Sequence, residues 1–327
     1  MTRLGGVASI APPHPDLVTR FARDLSRFQV GDAQPDLCIA VSGGADSLAL
    51  LLLAAAARPG QIAALTVDHG LRPEAADEAR FVSDVCTALG VPHDTLRINV
   101  PDDPTGLQAS ARRARYAAMA EWVFARGMSR LAVAHHLDDQ AETVMMRLER
   151  GAGVAGLSGI RRVRPLADGV TLIRPLLDWR KAELVDIVQA AGLDAIDDPS
   201  NRDSRFDRAA VRARLAQGWP DPARLAAVAS HMAQAEEALS FSADSLFAQR
   251  FDPEAMTLAA SDLPAELRRR LTVKALRRLA NDPILRGDEV DRLIGRLMAG
   301  HVSTLAGFRI APGAIWRFTP ASPHRSM

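Results

Sequence analysis

Cysteine and lysine are nearly absent from this chain. The two cysteines, Cys38 and Cys86, form no Cys-x-x-Cys pair, which excludes a disulfide scaffold and fits a reducing compartment. Lysine occurs only at positions 181 and 274, so arginine supplies nearly all the positive charge. A dominant charge sign is missing too. The formal net charge is +1, so any contact with nucleic acid must come from local clusters and not from a globally basic surface. The N-terminus shows no basic start followed by an apolar run and a small-residue cleavage site, which speaks against a signal peptide. The longest apolar stretch, Leu48 to Ala57, is about half of a membrane span. A cytoplasmic protein without membrane contact is the expectation.

What is present suits a folded enzyme. The 327 residues exceed one ordinary core and suit two domains. Hydrophobic residues at 48% and charged residues at 24% give a globular composition. Apolar runs at 36–41, 62–67, 96–100 and 131–134 read as strands. They alternate with helices over 47–57, 74–89, 107–126 and 139–150, with Gly90 and Gly127 as stops. Such alternation implies an α/β fold whose open parallel sheet is covered by helices on both faces. Further on, 163–175 suggests a hairpin around Asp168-Gly169, and Asp178 is expected to cap a helix reaching Ala191. Gly218 to Pro222 reads as a linker. The expected domains are therefore 1–217, catalytic, and 222–327, smaller and mainly helical with a small β element at 303–318.

The first strand ends in Ser42-Gly43-Gly44-Ala45-Asp46-Ser47 and a helix follows. Ligands of an open parallel sheet bind where strands turn into helices. Glycines there let the backbone approach a phosphate, and the amides and dipole of the helix favour the anion. Ser42 and Ser47 add hydroxyl donors, and Asp46 suits a magnesium ion bridging phosphates. No Gly-Lys-Ser/Thr follows, so this is not a Walker loop. A second glycine motif, Gly151-Ala152-Gly153-Val154-Ala155-Gly156, matches the dinucleotide fingerprint but follows a helix instead of a strand. It is read as a turn.

Two more polar clusters fall at strand ends. Asp68-His69 closes the second strand. His135-His136-Leu137-Asp138-Asp139 follows the fourth, where it could bind metal, act as acid and base, or cap a helix through Asp138. Arg112, Arg115 and Tyr116 share a helix face, either a binding surface or a solvated stripe. Arg202, Arg205, Arg208, Arg212 and Arg214 crowd one segment, and Arg270, Lys274 and Arg277 share another helix face. Both patches suit phosphate contacts.

Taken in order, these segments resemble tRNA(Ile)-lysidine synthetases, a family within the PP-loop ATP pyrophosphatases. The match covers about 40–215. It includes the Ser-Gly-Gly-x-Asp-Ser loop, Asp138-Asp139-Gln140-Ala141-Glu142-Thr143 with Arg147 and Arg150-Gly151, Arg174-Pro175-Leu176-Leu177, and Asp198-Pro199-Ser200-Asn201. The resemblance implies ATP and magnesium as cofactors, and free lysine and the CAU-anticodon isoleucine tRNA as substrates. In that reaction ATP adenylates C2 of the wobble cytidine; the lysine side-chain amine then attacks C2 and expels AMP. By position, Ser42 to Ser47 with Asp68 and His69 would bind ATP and Asp46 its metal. His135 and Asp139 would flank the reacting centre, and Arg112 or Arg115, with Arg212, would contact phosphate or nucleotide. Arg205, Arg208, Arg212, Arg270, Lys274 and Arg277 are the expected tRNA contacts, and a homodimer is expected. The family's usual Arg-Asn-Arg-Ile-Arg appears here as Arg208-Ala209-Ala210-Val211-Arg212, a departure at those contacts. The single accessory domain matches a short family type. Tests of a rival tRNA thiolation enzyme and a metal-dependent phosphoesterase fall on the cysteines and the His-Asp clusters.

Overall fold

The computed structural model describes residues 9–31, 36–68, 75–98, 107–196 and 207–321, with the backbone alone at 107–109 and 207–209. It divides into two compact units, Met1–Ala233 and Gln234–Met327. Among the described residues no helix is long and apolar enough to cross a membrane.

The first unit is built on a six-stranded sheet. Strands β1 (Leu37–Ala40), β2 (Ile62–Asp68), β3 (His93–Arg97), β4 (Arg130–Ala132), β5 (Val163–Ala167) and β6 (Val170–Ile173) stand in the order β3-β2-β1-β4-β6-β5. All pairings are parallel except β5 with β6, the hairpin turned at Asp168-Gly169. The parallel sheet read from the sequence thus carries one antiparallel edge strand. Burial explains the regularity of its centre: Leu37, Cys38 and Ile39 of β1 are fully buried, as expected of a strand covered on both faces.

The helices of this unit are α1 (Pro15–Ser26), α2 (Ala45–Ala57), α3 (Ala75–Ala88), α4 (Leu107–Ala125), α5 (Leu137–Glu149), α6 (Val154–Leu157), α7 (Lys181–Ala190) and α8 (Asp207–Ala216). Helix α2 is apolar all round, with every residue from Ser47 to Ala54 buried, and it shares one core with Phe21 and Leu25 of α1 and Leu184 and Ile187 of α7. Helix α1 was not read from the sequence, although Pro15 at its first turn is a start signal.

Two expected boundaries differ. β3 begins at His93, in register with Ala64, instead of at Leu96; it is a polar edge strand, so its apolar residues do not mark its start. Asp178 does not cap α7. Arg180 is the N-cap residue, with Glu183 closing the capping box, while Asp178 accepts hydrogen bonds from Arg162 and Arg27. The linker read at Gly218–Pro222 leads directly into α9 (Pro222–Arg250), whose first turns bury Leu225 and Ala229 with Val211, Leu215, Ala141 and Val144. The division between the compact units therefore falls inside α9.

The second unit joins the rest of α9 to α10 (Ala265–Leu279), α11 (Gly287–Met298) and a five-stranded antiparallel sheet. Its strands are β7 (Phe251–Asp252), β8 (Thr257–Leu258), β9 (Ser303–Leu305), β10 (Phe308–Ala311) and β11 (Trp316–Pro320), in the order β7-β8-β11-β10-β9. Leu271, Leu276, Ile310, Trp316 and Phe318 form its core. The terminal β element foreseen at 303–318 is thus extended by an earlier short hairpin.

Candidate active site

Strand order reverses at β1: β2 and β3 lie to one side and β4 to the other. Crevices open at such switch points, beyond the carboxyl ends of the strands. A cavity of about 390 Å³ lies there, walled by the ends of β1, β2 and β4 and by residues of α2, α4, α5, α7 and α8.

The phosphate-loop residues form one side of it. Ser47 Oγ donates to the Gly44 carbonyl at 3.0 Å and accepts the Ser42 N–H at 3.1 Å. Its proton therefore closes the loop and is not presented to a ligand, and the exposed Ser42 hydroxyl, 3.2 Å from Ser47 Oγ, donates to it and keeps its lone pairs toward the cavity. Gly43 adopts φ +84°, and a Cβ there would lie 2.4 Å from Ile196 Cδ1; only glycine fits without displacement. Gly44 is the N-cap of α2 and gives no side-chain cap, so first-turn amides keep their capacity for an anion.

Asp46 occupies the first turn of α2. Its Oδ1 is buried with no hydrogen-bond partner, and its Oδ2 is 3.6 Å from Nε2 of His136. His136 is the N-cap of α5. Its Nδ1 accepts the Asp139 N–H at 3.3 Å, while the Asp139 carboxylate accepts the His136 N–H at 3.2 Å. Asp139 Oδ2 is also 3.5 Å from Nε2 of His136. Burial opposes charge on Asp46, but the hydrogen bond and charge of His136, with Lys181 and Arg212, hold its carboxyl below the usual range. Burial likewise opposes protonation of His136, yet Asp46, Asp139 and Asp138 together raise its pKa.

Of the sequence-predicted residues, Ser42, Gly44, Asp46, Ser47, Arg115, His135, Asp139 and Arg212 line this one cavity. His135 Nδ1 accepts the Nε–H of buried Arg174 at 3.2 Å. Arg212 donates to Glu142 Oε1 at 2.6 Å, a bond that raises its pKa further. Arg112 is exposed, its guanidinium 5.1 Å from the centre of the Tyr116 ring. Asp68 is buried at the end of β2 with Arg97 at 3.8 Å and is not among the lining residues. His69, Arg205 and the Asp198–Asn201 motif lie outside the described residues, as does the side chain of Arg208.

In the second unit, Arg270 is largely committed to carboxylates. It holds Glu236 through two bonds of 2.9 and 2.6 Å and Glu266 at 2.7 Å. Lys274 pairs with Asp244, and Arg277 lies 3.5 Å from Asp282.

His136 and Tyr116, read in the sequence only as members of their clusters, both line the cavity, and so does Lys181, for which the sequence reading gave no role. Lys181 carried a signal, being one of two lysines and following the Arg-Pro-Leu-Leu segment closely. Both cysteines are buried; burial raises both thiols, Cys86 to about 12.

A family model described as a PP-loop domain matches residues 17–218. A tRNA(Ile)-lysidine synthase of Novosphingobium aromaticivorans is 42% identical over 314 residues, covering 94% of this chain and 95% of that protein. Its counterpart from Zymomonas mobilis is 42% identical over 295 residues, 88% and 89% of the two chains. Among solved structures, the U34-tRNA thiolase NcsA from Methanococcus maripaludis is similar at a TM-score of 0.55 and 19% identity, covering 68% of this chain and 78% of that one. That last likeness is one of fold.

Proposed function

This chain belongs to the tRNA(Ile)-lysidine synthase family, and from that premise we propose how its own residues divide the work of an ATP-dependent carbon–nitrogen ligase. The substrate is an isoleucine tRNA with a CAU anticodon, and the co-substrate is free lysine. The C2 oxygen of the wobble cytidine attacks the α-phosphorus of ATP, forming a C2–O–AMP bond and releasing pyrophosphate. The lysine side-chain nitrogen then bonds to C2, and AMP departs with the former carbonyl oxygen. The amine proton passes to a base.

The observation that carries this reading is the opening of the Ser42–Ser47 loop and first turn of α2 onto the cavity, with an unpaired carboxylate oxygen of Asp46 beside them. Amides at a helix start favour the phosphates. Arg115 and Lys181 add cations on the cavity wall, suited to the charge that gathers as pyrophosphate leaves. Asp139 lines the same cavity and is proposed as the base that takes the lysine proton.

The donor set also fits magnesium. That ion is held by one or two carboxylates together with substrate phosphates, and Asp46 offers a buried oxygen that lacks a partner. Among the described residues no group of three or more His, Cys, Asp or Glu is placed to hold a metal by itself, so phosphates and water would complete the coordination. Bound there, the ion would neutralise phosphate charge.

Thiolation is not favoured, because a sulfur-transfer cysteine needs an accessible, low-pKa thiol, and both cysteines here are buried with raised pKa values. Residues from Gln234 onward are proposed as the tRNA-gripping module, through Lys274 and Arg277. Both pair with exposed carboxylates that a phosphate can displace.

The test is direct. Protein supplied with ATP, magnesium, lysine and the tRNA should release AMP and pyrophosphate, and Asp46→Asn should lose at least about a hundredfold of that rate. Release that persists without tRNA, or phosphate formed without lysine, would refute the ligase reading and favour a phosphoesterase.

A further inference from the structure

Four guanidinium groups converge on the one tyrosine. Those of Arg112, Arg115 and Arg164 lie 5.1, 5.5 and 5.3 Å from the centre of the Tyr116 ring. Burial lowers the pKa of Arg174, 6% exposed; Tyr116 opposes that shift, and the charges of Arg164 and Arg112 add to it. None of the four forms an ion pair with a carboxylate among the described residues. Nearby arginines behave differently: Arg162 pairs with Asp178, Arg126 with Asp94, Arg180 with Asp138 and Arg212 with Glu142. Arg115 also has a buried Nε with no partner.

Like charges gathered without a carboxylate partner among the described residues repel one another, and Tyr116 compensates only in part, through cation–π attraction. Such an arrangement is favourable once an anion is bound. The cluster runs from the cavity wall, where Arg115 and Tyr116 stand, to the surface, where Arg112 and Arg164 are exposed. Tyr116 is itself buried and cannot stack on a base, so its ring serves as a platform for the cations.

We propose that Arg112, Arg164 and Arg115 around Tyr116 form a seat for a backbone phosphate of the RNA substrate, close to the nucleotide that enters the cavity. This rests on the reading above. ATP has its phosphate site at the Ser42–Ser47 loop and the lysine carboxylate accompanies its amine into the cavity, so the anion left for the exposed Arg112 and Arg164 is the polynucleotide's own phosphodiester. Arginine at the exposed end suits planar contact with phosphate oxygens. Arg164 lies on the edge strand β5, outside the cavity lining, so it can be altered without touching the nucleotide site.

The experiment uses the full chain with a CAU-anticodon isoleucine tRNA transcript, and compares the wild type with Arg164→Gln, Arg164→Glu and Arg164→Lys. Expected is a roughly five- to tenfold rise in KM for tRNA in Arg164→Gln, a larger one in Arg164→Glu and a smaller one in Arg164→Lys, which keeps the charge but not the planar fork, with KM for ATP and for lysine unchanged. In Arg164→Gln the slope of log affinity against log salt, read from filter binding without ATP or lysine, should shrink by roughly 0.7, one phosphate's share on a single strand. Unchanged tRNA affinity and salt slope in both Arg164→Gln and Arg164→Glu would overturn the proposal. A change confined to KM for ATP or to pyrophosphate inhibition would overturn it as well, assigning the seat to pyrophosphate. Failure of the parent reading shows separately, as a wild type that makes no tRNA-dependent AMP; the filter-binding arm still decides the seat in that case.

Discussion

Arg174 donates its Nε–H to Nδ1 of His135 at 3.2 Å, and its Nη1 to the carbonyl of Arg161 at 2.6 Å. With the Nδ1 lone pair engaged, the neutral imidazole carries its proton on Nε2. That tautomer of His135 is therefore held by a residue nearly forty positions away, and it presents Nε2 as a donor and not as a base. Arg174→Met should lower the rate of AMP formation by about ten- to a hundredfold, the usual cost of losing such an orienting contact, with a smaller effect on KM for ATP. Nitrogen chemical shifts of His135 should report a protonated Nε2 in the wild type and mixed tautomers in the variant. An unchanged rate with unchanged shifts would remove Arg174 from the mechanism.

The two loop glycines should separate folding from binding. At Gly43 an alanine meets left-handed backbone strain of about 1–2 kcal/mol and a contact of 2.4 Å with Ile196 Cδ1; overpacking adds about 1–3 kcal/mol. Gly43→Ala should lower Tm by roughly 5–15 °C for a unit of this size. At Gly44, with φ −73°, a Cβ finds no neighbour nearer than 3.8 Å. Gly44→Ala should melt like the wild type yet bind an ATP analogue about tenfold more weakly, because the methyl occupies the place of the approaching phosphate. Equal melting of the two variants, or full affinity in Gly44→Ala, would contradict this division.

The parts of the site held by local chain order were legible in the sequence. An apolar run followed by Ser-Gly-Gly and a leucine-rich helix leaves few alternatives to β1, loop and α2, and Asp46 comes with them. The segment at 135–139 was legible as a cluster, but not its arrangement. Neighbouring residues of an extended segment point in opposite directions, and nothing in two adjacent histidines says that His136 turns inward to Asp46 while His135 turns to Arg174. Arg174 and Lys181 enter because β6 pairs with β4 and α7 follows, a topological fact with no local signature. Helix α1 was missed for the reverse reason. Its signal is present, but its buried positions become meaningful only beside α2 and α7.

Arg270 shows how a charge cluster misleads. Its side chain and that of Glu236 are each 14% exposed and held by paired hydrogen bonds, so the arginine ties α10 to α9 within the second unit. Removing one partner of a pair this sheltered leaves a poorly solvated charge. Arg270→Met should cost about 2–3 kcal/mol, a fall in Tm of the second unit of about 10 °C or more. Adding Glu236→Gln should return part of the loss, since the carboxylate deprived of its arginine is then gone. Below its melting temperature the single variant should hold tRNA as the wild type does. Weakened tRNA binding by folded Arg270→Met would restore it as a phosphate contact.

His93 links acid stability to the site. Thr66 Oγ1 spends its proton on the Val41 carbonyl at 3.0 Å, so at 2.9 Å it accepts from Nε2 of His93. Burial depresses the imidazole pKa, and Asp94 offsets this only in part. A depressed histidine is protonated less readily in the folded chain than in the unfolded one, whose value is about 6.5. As pH falls from 6.5 toward the folded pKa, the unfolded state takes up more protons and stability declines; above 6.5 this contribution is constant. Glutamine at 93 can keep the donor to Thr66 without titrating. The Tm of the wild type relative to His93→Gln should therefore be flat from pH 8 to 7 and drop steadily from pH 6.5 to 5. His136, whose raised pKa acts in the opposite sense, is common to both proteins and cancels in the difference. A difference that does not vary between pH 8 and 5 would mean that His93 titrates as it does in the unfolded chain, and that its bond to Thr66 does not constrain protonation.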